Sequence, residues 1–292
     1  MATDGSPTVR RRRLAAELRR LRGKRTGGTV AKALGWSPAK ISRYELGQGG
    51  FPLHEVERLL DYYGVAESRR TQLLELAADA NARGWWEDYA DILHPGYIEY
   101  IGLEAEANTV AHWNNYVVPG ILQTEDYARQ LNVGYNSVIP TPPGVLDRLV
   151  RVRMIRQELL KSNPPLRLTV VIDESVLQRQ VGSPALMYAQ LRHLAEISRL
   201  PSVELRVVPL ASGSSLVSDS FTIFKFESWA DLLAGRLADV VSTESLRTEM
   251  YVEGESDTYL YHLVFNGLLN VSLSKPDTHE LILRTADRFW GL

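Results

Sequence analysis

Apolar residues in the first 80 positions recur every three to four residues in five short blocks, which predicts five helices. The first block, over residues 8–22, places four apolar side chains on one stripe: Val9, Leu14, Leu18 and Leu21. The last block ends near Ala80. Five helices in about 75 residues would form a complete small bundle, so we predict a helical domain over residues 8–82.

The stretch from 27 to 46 predicts two short helices joined by a tight turn. Gly35 can adopt the positive φ that ends the first helix, and Ile41 places a branched apolar group between the two helices. Ser37 supplies an N-cap oxygen and Pro38 occupies the first helical position of the second helix. We therefore interpret this stretch as a helix-turn-helix.

The second helix of this pair is the predicted reader of DNA. Ile41 and Tyr44 point inward at helical spacing, which leaves a short polar and basic set facing outward: Ser37, Ala39, Lys40, Ser42 and Arg43. Such side chains can bind phosphates and base edges in a major groove. Thr29, at the glycine-rich start of the preceding helix, is the remaining predicted DNA contact, because backbone amides at a helix N-terminus can hold a phosphate.

The run LGWSPAKISRYELGQGGFP resembles the lambda-repressor-like, XRE-type helix-turn-helix. In that family a recognition helix ending in an Ile-Ser-Arg-aromatic-Glu pattern is followed by a glycine turn and a proline. The resemblance implies that Ser37, Lys40, Ser42 and Arg43 contact DNA. The chain departs from the family pattern at 26–29, where Thr-Gly-Gly-Thr replaces a polar Gln-Glu type sequence whose glutamine helps to grip a phosphate.

The pattern changes beyond the bundle. Helical periodicity and an extended piece over residues 110–118 come first, and five strand-length runs follow from Leu166: LRLTVVID, VELRVVPL, SFTIFKF, ADVVS and TEMYVE. A helix between the first two runs predicts a parallel pair, and the short spacing of the others predicts antiparallel neighbours. The predicted fold class is α+β, with an all-α five-helix domain, a helical part over 85–163 and a mixed-sheet part over 164–292.

The region 85–292 also carries a resemblance, through strings that include GWWEDYADIL, YIEYIGLEAEA and VVIDESVLQRQVG. They are similar to a domain that follows XRE-type readers in many regulators of high-GC bacteria. Its members are described as antitoxin-like transcriptional regulators, commonly encoded beside a small acidic partner protein. We therefore expect a homodimeric regulator of double-stranded DNA whose region 85–292 dimerises and receives a signal from such a partner. The alternative is a metabolite-sensing repressor with a small-molecule pocket in that region.

Aromatic side chains are densest between residues 85 and 123, directly after the bundle. Trp86, Tyr100 and Trp113 are the predicted partner-binding or ligand-binding residues, because aromatic excess of this kind lines pockets and partner grooves. The other interpretation is that these rings fill the core.

Charge also divides the chain, near residue 45. Residues 1–45 hold twelve Arg or Lys and three Asp or Glu, so the remainder of the chain, whose total is −2, carries −11. Positive charge strengthens DNA binding through counterion release only where it lies near phosphates. The charge distribution therefore favours a basic DNA-binding domain attached to an acidic region that does not bind DNA. An amphipathic helix over 145–161 carries four arginines around its polar side: Arg148, Arg151, Arg153 and Arg156. We predict that they form a solvated face paired with nearby carboxylates, and the alternative is a second contact with phosphate or an acidic partner.

Few residues favour catalysis or metal binding. The chain has no cysteine, which excludes a disulfide framework and a thiolate metal site, and its six histidines lack a metal-binding spacing. Asp173 and Glu174 fall where a strand ends and a helix begins, but no second catalytic group accompanies them, so an enzyme acting on nucleotides or DNA is the weaker hypothesis. We therefore expect a protein that is not an enzyme and needs no cofactor. We also expect it to be cytoplasmic, since no apolar run approaches membrane-spanning length.

Overall fold

A computed structural model of the protein describes five stretches of the chain: residues 7–135, 140–213, 219–226, 239–244 and 249–291. The chain divides into two compact units, Met1–Asp88 and Tyr89–Leu292. The first is helical, and the second combines helices with a six-stranded mixed sheet. The predicted α+β class is confirmed.

The first unit contains five helices in its described residues: α1 Pro7–Arg22, α2 Gly27–Leu34, α3 Pro38–Glu45, α4 Leu53–Tyr63 and α5 Glu67–Ala80. Their boundaries follow from local chemistry, because Ser37 caps α3 through its side chain and Gly35 ends α2 at a φ of 70°. One core joins all five helices through side chains that include Leu14, Val30, Ile41, Leu60 and Leu73. Each such side chain stabilises the fold by roughly 1.5–3 kcal/mol relative to exposure.

An ion pair fixes the end of α3 to α1. Arg22 Nε lies 2.5 Å from Glu45 Oε1, and Arg22 Nη2 lies 3.1 Å from Glu45 Oε2. Arg19 donates to the Glu45 carbonyl at 2.5 Å. A carboxylate at a helix C-terminus is unfavourable without a cation, and Arg22 supplies that cation.

The second unit contains both helices and strands in the residues that the structure describes. Its helices are α6 Pro95–Glu106, α7 Glu125–Tyr135, α8 Pro143–Gln157, α9 Ser175–Gln178, α10 Pro184–Ile197, α11 Glu255–Val271 and α12 Lys275–Thr285. Its strands are β1 Thr109–Asn114, β2 Arg167–Asp173, β3 Val203–Val208, β4 Phe221–Lys225, β5 Val240–Glu244 and β6 Glu249–Val252. The first residues of the last two predicted runs, Ala238 and Thr248, lie outside the described residues.

The sheet has the strand order β3-β2-β1-β4-β5-β6. β1, β2 and β3 are parallel, and β4, β5 and β6 continue the sheet in antiparallel pairs. The mixed sheet matches the prediction, but the extended piece over 110–118 supplies a central strand that was not predicted. Four consecutive residues of β1 are buried, so no alternation of polar and apolar positions marks it in the sequence.

Alternate residues of β1 face opposite sides of the sheet. Ala111 and Trp113 pack with Phe221, Ile223 and Phe265 on one side. His112 lies on the other side, and its register partner on β4 is Thr222. The two sides therefore differ in character, because the first is apolar and the second carries buried polar side chains.

Candidate nucleic-acid interface

The turn between α2 and α3 sets which face of α3 is exposed. Trp36 N donates to the Ala31 carbonyl at 2.8 Å, which closes the left-handed turn at Gly35. Ser37 Oγ then accepts a hydrogen bond from Lys40 N at 3.3 Å and starts α3. This arrangement buries Ile41 and leaves the opposite face of α3 toward solvent.

Four of the predicted DNA-contacting residues of α3 are exposed: Ser37, Ala39, Ser42 and Arg43. Ile41 and Tyr44 are buried, as helical spacing predicts. The Arg43 guanidinium makes no hydrogen bond or ion pair with the described residues. It is therefore available to bind a guanine edge or a phosphate.

Lys40 differs from its neighbours on α3. Its Nζ lies 2.5 Å from Oε1 of Glu55, a residue of α4, and 4.4 Å from the centroid of the Trp36 ring. Glu55 also accepts a hydrogen bond from the Tyr44 hydroxyl through its other oxygen. Sequence reasoning missed Glu55, because an acidic residue in the first turn of a helix is common and nothing local indicates its partner.

Thr29 lies at the exposed start of α2. Its backbone nitrogen donates to Thr26 Oγ1 at 3.1 Å, and its own hydroxyl lies 2.9 Å from the same atom. Thr26 therefore caps α2. Lys32 adds an exposed cation to the last turn of this helix.

Family comparisons agree with this division of the chain. Residues 13–73 match a helix-turn-helix domain, and residues 97–284 match a family described as a domain of unknown function (DUF5753). The second match covers more than half of the chain. The chain belongs to the DUF5753 family. No curated protein and no solved structure matches it.

The helix-turn-helix match supports a DNA-binding regulator. It includes α2 and α3 whole, so the exposed face of α3 is the candidate interface of this DUF5753 protein. Among the described residues, no helix is long and apolar enough to span a membrane.

The three aromatic residues predicted to receive a signal are placed mostly in the interior. Trp86 and Trp113 are each 3% exposed. Tyr100 packs edge-on against Phe224 at 5.1 Å between ring centroids, and its hydroxyl lies 3.3 Å from Thr222 Oγ1. Tyr100 therefore lies on the His112 side of the sheet and Trp113 on the other, so these two rings do not share a surface. Their role in binding a partner stays a prediction.

A buried ion pair lies on the His112 side of the sheet. Arg156 Nε is 2.6 Å from Glu104 Oε2, and Arg156 Nη2 is 2.7 Å from Glu104 Oε1. The guanidinium also donates to the Tyr97 hydroxyl at 2.5 Å and lies 5.0 Å from the Tyr100 ring centroid. Burial alone lowers the pKa of Arg156, but the Glu104 carboxylate raises it well above its usual value. The predicted solvated face is thus wrong for Arg156, whose charge is compensated within the core.

His112 lies close to this pair and is neutral at physiological pH. Its Nδ1 is 2.9 Å from Thr222 Oγ1, and its Nε2 is buried without a hydrogen-bond partner among the described residues. Burial, together with the positive charge of Arg156, lowers the pKa of His112 to about 3. The imidazole and the guanidinium therefore share one buried site without both being charged.

Asp173 and Glu174 each accept a hydrogen bond from a backbone amide. Asp173 Oδ1 accepts from Ser175 N at 2.9 Å, and Glu174 Oε2 accepts from Leu210 N at 2.9 Å. Both carboxylates therefore stabilise the loops that follow β2 and β3. Within the described parts of the chain, no three acidic or histidine side chains are grouped to hold a metal ion.

A cleft lies elsewhere in the second unit. Five residues line it: Ala185, Tyr188, Asp287, Trp290 and Gly291. Trp290 is held there by a hydrogen bond of 3.0 Å from its Nε1 to the Leu177 carbonyl. The cleft thus combines aromatic rings with one carboxylate, at a distance in sequence from the aromatic segment that was predicted to receive a signal.

Proposed function

We propose that this chain is a sequence-specific, antitoxin-like transcriptional regulator and not an enzyme. In this proposal α3 enters the major groove of double-stranded DNA. The observation that carries it is the exposed face of α3, on which the Arg43 guanidinium is free of hydrogen bonds and ion pairs with the described residues. A guanidinium in such a position can bind O6 and N7 of a guanine together.

Exposed residues on α2 and at the start of α3 are suited to contact DNA phosphates. Thr29 and Ser37 are exposed at the N-termini of α2 and α3, where backbone amides and the helix dipoles favour an anion. Lys32 is exposed on α2. We therefore assign base reading to Arg43 and Ser42, and backbone positioning to the two helix N-termini.

Replacing Arg43 with alanine should weaken binding to the preferred sequence by about 1–3 kcal/mol, because one bidentate base contact is lost. The preferred sequence would first be selected by the wild-type protein from a pool of random duplexes, and affinities measured by fluorescence anisotropy. Arg43→Lys is the matched variant, since it keeps the charge but lacks the planar guanidinium fork that matches the guanine edge. Operator affinity of both variants equal to that of the wild type would remove Arg43 from the reading set.

The proposal includes a homodimer formed through the second unit. Two readers at half-sites about 34 Å apart would bind a palindrome. Support comes from α11, on which three large apolar side chains are exposed: Tyr259 at 60%, Leu260 at 62% and Leu263 at 49%. They recur at helical spacing on one face, as a helix pairing with a second copy of itself requires.

Introducing glutamate at both Leu260 and Leu263 should therefore convert a dimer into a monomer, which sedimentation velocity would detect. Leu210→Glu is the control, because Leu210 is 60% exposed and lies outside α11. The interface assignment would be abandoned if the double variant sedimented like the wild type, and equally if Leu210→Glu dissociated the dimer to the same extent.

The signal is proposed to come from a small partner protein, with a metabolite as the second candidate. The cleft beside Trp290 favours the metabolite, because aromatic rings with one polar group are typical of small-molecule sites. Purification from native cytosol separates the two. A stoichiometric small protein would support the partner, whereas a small molecule released on denaturation and lost in Trp290→Ala would support the metabolite.

A further inference from the structure

We propose that Glu55 withholds Lys40 from DNA phosphates, and so lowers the share of binding that does not depend on base sequence. This inference rests on the proposed reading of DNA by α3. It makes Glu55, which lies outside the helix-turn-helix pair, a residue that sets how much of the affinity for DNA is independent of base sequence.

The contacts of Glu55 occupy both of its carboxylate oxygens. Oε1 lies 2.5 Å from Lys40 Nζ, and Oε2 accepts the hydrogen bond from Tyr44. The side chains of Lys40 and Glu55 are 23% and 17% exposed, so the pair is largely shielded from water. The geometry therefore holds the ammonium toward α4 and away from the open face of α3.

Two further features keep the pair in place. The Lys40 ammonium lies over the Trp36 ring at 4.4 Å, a distance at which a cation is attracted to the ring face. Val56, the next residue after Glu55, is fully buried in the core of the bundle and anchors this turn of α4. Lys40 would have to leave both an anion and an aromatic ring in order to reach a phosphate.

The charges around Lys40 explain why this residue adds little to the affinity for DNA. A cation that neutralises a phosphate releases counterions and strengthens binding to any sequence. Glu55 already neutralises Lys40, and moving Lys40 to a phosphate would leave the Glu55 carboxylate near the DNA. His54 would then be the only basic group paired with Glu55 among the described residues, with its Nε2 3.8 Å from Glu55 Oε1. Arg43 has no such partner in the part of the chain that the structure describes, so the cation presented by α3 is the one suited to base reading.

The masking of Lys40 affects affinity and not discrimination. Affinity for any sequence grows with every available cation, whereas discrimination between sequences depends on base contacts. Masking Lys40 removes one contact that is independent of sequence and leaves the contact from Arg43 unchanged. Base contacts therefore supply a larger share of the binding free energy that remains.

The test uses the full chain and a short duplex of random sequence, with affinity measured over a series of salt concentrations. Glu55→Gln keeps an acceptor for the Tyr44 hydroxyl but removes the charge that holds Lys40. We expect tighter binding than wild type and a slope of log affinity against log salt that is steeper by about 0.9, the value for one added phosphate contact. Glu57→Gln is the matched control, because it makes the same charge change on the same helix, and it should leave the slope unchanged.

Adding Lys40→Met to the Glu55→Gln variant should abolish the gain, since the released cation is then absent. Thermal unfolding of each variant checks that the bundle stays folded. The inference is overturned if Glu55→Gln binds no more tightly than Glu57→Gln, or if the gain persists without Lys40. Failure of the wild type to bind any duplex would instead overturn the proposed function, so the two failures are distinguishable.

Discussion

Replacing Arg156 with methionine should lower the free energy of unfolding of the second unit by about 3–5 kcal/mol, because the Glu104 carboxylate would be left buried without its partner. Glu104 is 0% exposed and Arg156 is 3% exposed, so water cannot take the place of the lost guanidinium. The Tyr97 hydroxyl would lose its donor in the same step. Denaturant unfolding of the full chain, followed by circular dichroism, measures the loss.

Two variants test whether the loss of stability comes from the buried ion pair. Arg151→Met removes an exposed arginine from the same helix and should cost less than about 0.5 kcal/mol. Combining Glu104→Met with Arg156→Met should recover much of the loss, because a buried ion pair can often be replaced by apolar side chains. A similar loss for Arg151→Met and Arg156→Met would contradict the structural assignment of the pair.

Lowering the pH should destabilise the second unit through His112, starting at a pH above the range in which carboxylates usually bind protons. In the folded state the pKa of His112 is about 3, while a histidine in an unfolded chain has a pKa of about 6.5. Between these values the unfolded chain binds the proton and the folded chain does not, so stability falls as the pH falls. The full contribution from His112 is about 4–5 kcal/mol at pH 3.

The measurement is the pH dependence of the free energy of unfolding, compared between the wild type and His112→Gln. The variant lacks the titrating group, so its stability should decline less steeply between pH 6.5 and pH 3. His94→Gln serves as the control, because the His94 side chain is 59% exposed in the same unit. Parallel curves for the wild type and His112→Gln would mean that the imidazole is not buried in its neutral form.

Local sequence signals predicted the helix-turn-helix well. The bounds of α2 and α3 follow from the chemistry of single residues, namely the N-cap Ser37, the first-turn Pro38 and the positive φ of Gly35. The fold class follows from a change in hydrophobic period along the chain. The side-chain positions on α3 follow from helical spacing alone.

Pairings between distant residues were not predictable in this way. Lys40 and Glu55 are 15 positions apart, and Glu104 and Arg156 are 52 apart, so no short window contains both partners. Arg156 shares one helix with the exposed Arg151, and only tertiary packing distinguishes the two. Strand β1 was missed as a sheet strand for the related reason that its burial depends on neighbours from later in the chain.

The central place of β1 also limits how genes of this family could be recombined. A junction after residue 163 would look permissible from the sequence, because it separates helices from strands. It would instead remove the strand that pairs with both β2 and β4, and leave two unpaired hydrogen-bonding edges that invite aggregation. Crossovers upstream of α6 preserve the whole sheet, so exchange of the DNA-reading module, rather than division of the DUF5753 region, is the route by which new operator specificities could arise.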